Sequence, residues 1–187
     1  MTTAGLRKVA MGACLVFVFA WAWSAQADER NAVNSVFVEI LGPGTIWSVN
    51  YERMIIDDLG VRVGASYMRW SAGVGDSKAS SDYYAFPITA SYVGVGNGRH
   101  SLELSAGVTV SYASGSAEGL GFESSGSGAT AMGTVGVGYR FHPLSTGFHF
   151  RVGLGGLMGM GFGTWYDADA DAFGFLPWGY ISFGATF

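Results

Sequence analysis

Three features of the sequence predict an all-β fold, a closed antiparallel up-and-down transmembrane barrel of eight strands. Apolar residues alternate with small or polar ones along most of the chain, short and long connections take turns between these segments, and aromatic residues gather at segment ends. The composition agrees. Of 187 residues, 49% are hydrophobic and 13% charged, where roughly a quarter charged is usual for a soluble domain. No long apolar run follows Trp23, so a membrane helix is excluded and the hydrophobic residues must be spread along strands.

The first residues follow the order of an export signal. Arg7 and Lys8 are basic, Val9 to Trp23 is apolar, and Ala25-Gln26-Ala27 offers a small-x-small cleavage site. Residues 1–27 are therefore expected to be a cleaved signal peptide, with one domain over 28–187. The apolar run falls short of the about 20 residues a spanning helix needs. Cys14, the only cysteine, precedes most of that run and is not placed for lipidation. It leaves with the signal, and so do disulfides and thiolate metal sites. Losing Arg7 and Lys8 takes the formal charge from −4 to −6, which argues against a nucleic-acid partner.

The strands follow in order. Val36, Val38 and Ile40 alternate with Ser35 and Glu39; Trp47, Val49 and Tyr51 with Ser48, Asn50 and Glu52; Val61, Val63, Ala65 and Tyr67 with Arg62, Gly64 and Ser66. A fourth, 83–95, sets Tyr84, Phe86, Ile88 and Tyr92 against Ala85, Thr89 and Ser91, with Pro87 as a blemish because it cannot donate to a ladder. The clearest alternation is Leu102 to Tyr112 against Glu103, Ser105, Gly107, Thr109 and Ser111. Three more segments repeat it over 131–142, 148–158 and 180–187.

The connections at 57–60, 96–99 and 142–147 are short turns, whereas 71–82, 113–128 and 161–174 read as longer loops rich in Gly, Ser, Ala and Asp. Short periplasmic turns and long outer loops are the pattern of bacterial barrels, and eight strands return both ends to the periplasmic side. Only the first outer connection, Gly42-Pro43-Gly44, is short. Trp47, Trp70, Tyr83, Tyr112, Trp165 and Trp178, with Tyr67, Tyr84 and Tyr166, fall near outer strand ends and form the expected aromatic girdle. Phe141, Phe148 and Phe187 fall near the inner ends. A soluble barrel of lipocalin type would share the alternation, but its outer face needs abundant Lys and Glu. The polar rows here are mostly Gly, Ser and Thr, which suit a narrow lumen.

The chain ends on Phe187 with Phe183 in phase, similar to the C-terminal signal read by the outer-membrane assembly machinery. Glu39-Ile40-Leu41-Gly42, Ser48 to Arg53, His100 to Glu103, Gly136 to Phe141, Gly147 to Gly153 and the ending through Phe187 together resemble a family of small, eight-stranded bacterial outer-membrane β-barrel proteins. The resemblance implies a monomer in outer-membrane lipid and lipopolysaccharide, and brings no catalytic residue. It departs in the outer loops, especially 161–174.

The strand phases put Glu39, Glu52, Glu103, Arg62, Arg140 and Arg151 on the polar face with His142 and His149. Three acids and three bases cancel, and all but Glu39 lie toward the periplasmic ends. They are expected to form one ion-pair cluster that plugs the lumen, with His149 donating hydrogen bonds within it. A proton path or gate is the other reading of the same residues, and a narrow pore for solutes its consequence. A lipid A-modifying enzyme ranks third: His100, His142 and His149 stand away from the outer leaflet, and no His-x-Ser pair is present. No cofactor or metal is expected. His142, His149 and Glu103 lack a ligand spacing. Asp167, Asp169 and Asp171 resemble the start of a calcium loop, but Ala172 and Trp178 stand where that loop wants glycine and glutamate.

Overall fold

The computed structural model describes residues 31–75, 77–97, 99–119, 122–160 and 173–187. The expected signal peptide, Trp165 and the three loop aspartates lie outside them. Eight strands run β1 (Asn34–Leu41), β2 (Trp47–Ile56), β3 (Leu59–Val74), β4 (Ser77–Gly96), β5 (His100–Gly119), β6 (Phe122–Phe141), β7 (Gly147–Met160) and β8 (Phe173–Thr186). Each pairs antiparallel with the next, and β1 pairs with β8 from Ser35–Thr186 to Leu41–Tyr180, so the sheet closes on itself. Closure leaves no sheet edge within the ring.

Period two fixes which way each side chain points. The inward rows are buried and polar, as in Ser48, Asn50 and Glu52 of β2, while Trp47, Val49 and Tyr51 between them are exposed. The lower end of the barrel carries the tight turns after β2, β4 and β6 and the C-terminal Phe187, whose N–H and carbonyl bond to Asn34 at 2.8 and 3.0 Å. Pro87 is accommodated in mid-strand. It pairs with Thr109 on β5, while the β3–β4 ladder skips from Val63–Ile88 to Ser66–Ala85, where the missing donor would have been needed. Gly64 lies in that gap, and a Cβ there would come 2.9 Å from the Pro87 ring.

Two expected loops are not loops. Residues 71–82 and 113–128 continue the ladder: Val74 pairs with Ser77, and β5 pairs with β6 out to Gly119–Phe122. A spanning strand needs about 9–11 residues, whereas β4, β5 and β6 each have 20. The sheet formed by β3 to β6 therefore projects well beyond the upper rim. The alternation fades there because neither face meets an apolar surrounding, yet the backbone pairing persists. Of the third expected loop, 161–174, only Phe173 and Gly174 are described, and both belong to β8.

Candidate functional site

The inward rows converge on an ionic layer in the middle of the bore. Glu39 from β1, Glu52 from β2, Arg62 from β3, Glu103 from β5, Arg140 from β6 and Arg151 from β7 are all buried. Arg62 donates through Nη1 to Glu39 Oε2 at 2.8 Å and through Nε to Thr89 Oγ1 at 2.8 Å. Glu39 Oε2 also lies 3.7 Å from Arg151 Nη1. Arg151 grips Glu103 with two prongs, Nε to Oε2 at 2.8 Å and Nη2 to Oε1. Glu103 Oε2 accepts from Arg140 Nη1 at 3.4 Å, and Arg140 in turn holds both oxygens of Glu52. Ser91 donates to Glu52 and Ser182 to Glu39. The order Arg62–Glu39–Arg151–Glu103–Arg140–Glu52 alternates base and acid without a break. That is what six buried charges require, since each costs several kcal/mol to desolvate and only hydrogen-bonded pairing offsets it. Glu39, the one charge expected away from the lower strand ends, is a full member.

Aromatic rings pack on this layer. Phe37, buried between Ser35 and Glu39 on β1, lies 5.1 Å from the Arg151 guanidinium carbon and 5.9 Å from that of Arg62; the Tyr180 ring lies 5.4 Å from Arg151. Tyr180 fits because β6 and β7 carry glycine opposite it. A Cβ at Gly153 would come 2.7 Å from Tyr180 Cζ, and one at Gly138 2.6 Å from its hydroxyl. Gly138 and Gly153 thus make room for one ring. Sequence reasoning placed Tyr180 on the polar row with Ser182 but gave it no role, and passed over Phe37, which shares the parity of Glu39.

Below the layer, His142 and His149 stack at 5.1 Å. Arg140 reaches His142 Nδ1 at 3.0 Å, so Nδ1 accepts, and Nε2 faces Ser35 Oγ at 3.4 Å. This reverses a hydrolase dyad, in which the nitrogen remote from the hydroxyl donates to a carboxylate. His149 does not donate within the cluster as expected. Its ring nitrogens have no hydrogen-bond partner among the described residues, and it instead meets Phe37 edge-on at 5.1 Å. Standing two residues from Arg151 toward the lower end, it is past the carboxylates that could have accepted from it.

Above the layer, the first outer connection folds into the bore. Gly42, Pro43 and Gly44 form one buried 3₁₀ turn, closed by Thr45 N–H to Gly42 carbonyl at 3.0 Å and tied across the barrel by Thr109 Oγ1 donating to the Pro43 carbonyl at 3.0 Å. Leu41 and Thr45 hold φ of 62° and 75°, which side-chain-bearing residues rarely adopt. At Gly42 a Cβ would come 2.7 Å from Glu39 Oε1, so only glycine lets the turn rest on the ionic layer. Its shortness was legible in the sequence; its inward course was not.

The outward face is the converse. Val63, Phe86, Ile88, Val110, Val137 and Leu154 are exposed. Near its upper margin Tyr67, Tyr84 and Tyr112 stand side by side on β3, β4 and β5, with ring centroids 4.9 and 6.4 Å apart, and Trp47 is exposed on β2. Three expected girdle members are elsewhere. Tyr83 pairs with Met68, Trp178 with Gly155, and Trp70 shares the parity of Arg62 and Met68, so all three stand on the inward row. Adjacent aromatics such as Tyr83 and Tyr84 cannot both face outward in a strand. At the lower margin Tyr139, Phe148, Phe183 and Phe187 are exposed, and His100 Nδ1 lies 2.6 Å from the Tyr139 hydroxyl. A water-soluble barrel has charges outside and grease within; here the order is inverted. The chain is a transmembrane β-barrel.

No family model matches the chain, and no curated protein matches its sequence. Among solved structures, Ail, the attachment invasion locus protein of Yersinia pestis, is similar at 16% identity over 85% of this chain and 98% of its own, with a TM-score of 0.45. Ail in complex with the heparin analogue sucrose octasulfate gives 13%, 83%, 95% and 0.46. The N-terminal β-barrel domain of Pseudomonas aeruginosa OprF gives 16%, 86%, 100% and 0.42. These likenesses carry no statement about activity. Among the described residues, no three His, Cys, Asp or Glu side chains are grouped to hold a metal.

Proposed function

We propose that the protein is an integral barrel of the bacterial outer membrane, monomeric, with a side-chain-plugged lumen and a structural or surface-interaction role rather than an enzymatic one. The observation that carries the reading is the filled bore. A six-charge alternating network and the 3₁₀ turn above it occupy the lumen, while the sheet of β3 to β6 projects where partners would be met. The apolar belt supports immersion in lipid, and the export signal expected over 1–27 supports passage to that membrane. Phe183 and Phe187 at the end of β8 suit recognition by the outer-membrane assembly machinery. Against an enzyme, the three carboxylates of the bore are all committed to guanidinium groups, and the His142–Ser35 contact has its polarity reversed. Single-channel recording in planar bilayers tests the plug. The purified monomer is expected to show no stable open level, and Arg151→Ala, which removes the link between Glu39 and Glu103, is expected to introduce conductance. A stable open level from the unaltered chain would overturn the plug and leave a narrow pore for small solutes.

A further inference from the structure

Beyond the aromatic row, the lipid-facing side of the strands continues upward as a hydroxyl-lined concave surface. Register places its residues in cross-strand rows. Above Tyr67–Tyr84–Tyr112 comes Arg69–Asp82–Ser114–Ser127, and above that Ser71–Ser80–Ser116–Ser125, one serine from each of β3, β4, β5 and β6. Ser80 and Ser116 hydroxyls are 3.0 Å apart, the Tyr67 hydroxyl donates to Asp82 at 2.7 Å, and Arg69 lies 3.8 Å from Asp82. Two open concavities of about 440 and 580 Å³ adjoin along the Ser80–Ser116 pair, the second bounded by Tyr112. The opposite face of the same strands differs in chemistry, pairing Ala79 with Ala117 and Tyr83 with Ala113.

We infer that this face docks the sugar headgroup of the outer-leaflet glycolipid in which the barrel sits, an inference that rests on the outer-membrane reading above. Continuity selects the occupant. The surface is the direct upward extension of the lipid-facing belt, so what stands against it is the headgroup of the lipid whose chains cover Val110 and Phe86. Chemistry selects among headgroups. Strand spacing of about 4.8 Å repeats hydroxyl donors and acceptors at the interval a polyol can bridge, and the exposed Tyr112 ring offers a stacking surface. Arg69 and Lys78 are outnumbered by Asp82, Glu118 and Glu123 along these rows, which disfavours a bare phosphate and suits a hydroxyl-rich ring.

The test is calorimetric titration of the detergent-solubilised protein with the deacylated, dephosphorylated oligosaccharide of lipopolysaccharide. Ser80→Leu with Ser116→Leu is expected to weaken binding about tenfold, the loss of two or so hydrogen bonds. Ala113→Leu with Ala117→Leu, on the other face and lining neither concavity, is expected to leave it unchanged, and Ser71→Ala with Ser125→Ala gives the same direction as the serine pair without added bulk. No binding by the unaltered protein, or equal losses on both faces, would overturn the docking. A separate arm reports on the orientation alone: Val110→Cys with Cys14→Ser, in phospholipid vesicles, is expected to resist a water-soluble maleimide. Free labelling there would remove the lipid-facing premise itself, whereas shielding with no oligosaccharide binding removes only the docking.

Discussion

Glu39 and Glu103 each answer to two guanidinium groups, and this sharing makes single residues in the bore expensive to lose. Glu103→Ala strips Arg151 of its two-pronged partner and leaves only Glu39, 3.7 Å away. The expected cost is about 3–5 kcal/mol, the usual penalty for an uncompensated buried charge, read as a lower urea midpoint in phospholipid vesicles. A loss under about 1 kcal/mol would mean that the pair behaves like an exposed one. Parity in the sequence was enough to bring these six charges to one face, because strand geometry leaves no other choice. Which acid meets which base was not legible, since it depends on stagger between strands that are distant in the chain: Arg140 and Glu52 are 88 residues apart. Trp70, Tyr83 and Trp178 went astray for the opposite reason. Their residue type suggested an interface, while their phase, shared with Met68, Ala85 and Tyr180, already pointed inward.

At the scale of the element, each strand from β3 to β6 has two sections with different surroundings. In the lower section one face meets lipid and the other the bore, so the alternation is strong and was read from sequence; in the upper section both faces are polar or small, and the same strands looked like loops. A charge should distinguish the sections sharply. Val137→Arg, in the middle of the apolar belt, is expected to cost about 2–4 kcal/mol of stability in vesicles, whereas Ser116→Arg is expected to cost about 1 kcal/mol or less. Equal costs at the two positions would show that the belt does not face lipid. The 3₁₀ turn marks another limit of sequence reading. Gly-Pro-Gly announces a tight turn, but its inward course is fixed by a tertiary contact, Thr109 to the Pro43 carbonyl, together with the clearance that Gly42 leaves over Glu39.

For the whole molecule, the projecting sheet and the ring are separable in energetic terms, because every pairing that closes the ring lies below the rows of serines. Replacing residues 115–126, whose ends pair with each other, by an Asn-Gly turn is expected to shift the unfolding free energy by no more than about 1 kcal/mol, measured by urea titration. A larger loss would show that the projection braces the ring. The ionic layer has the reverse character. Its links join β3 to β1, β7 to β1 and β6 to β2 as well as β5 to β6 and to β7, so only Arg140 and Glu103 meet within a single hairpin, at 3.4 Å. A half-wound sheet would carry Glu52 without Arg140 and Glu39 without Arg151 into the bilayer, and the alternation is complete only when the early and late segments of the polypeptide meet. Insertion should therefore be all-or-none, with the kinetic barrier falling at seam closure and the hydrated side of the unfinished sheet kept from hydrocarbon until that moment.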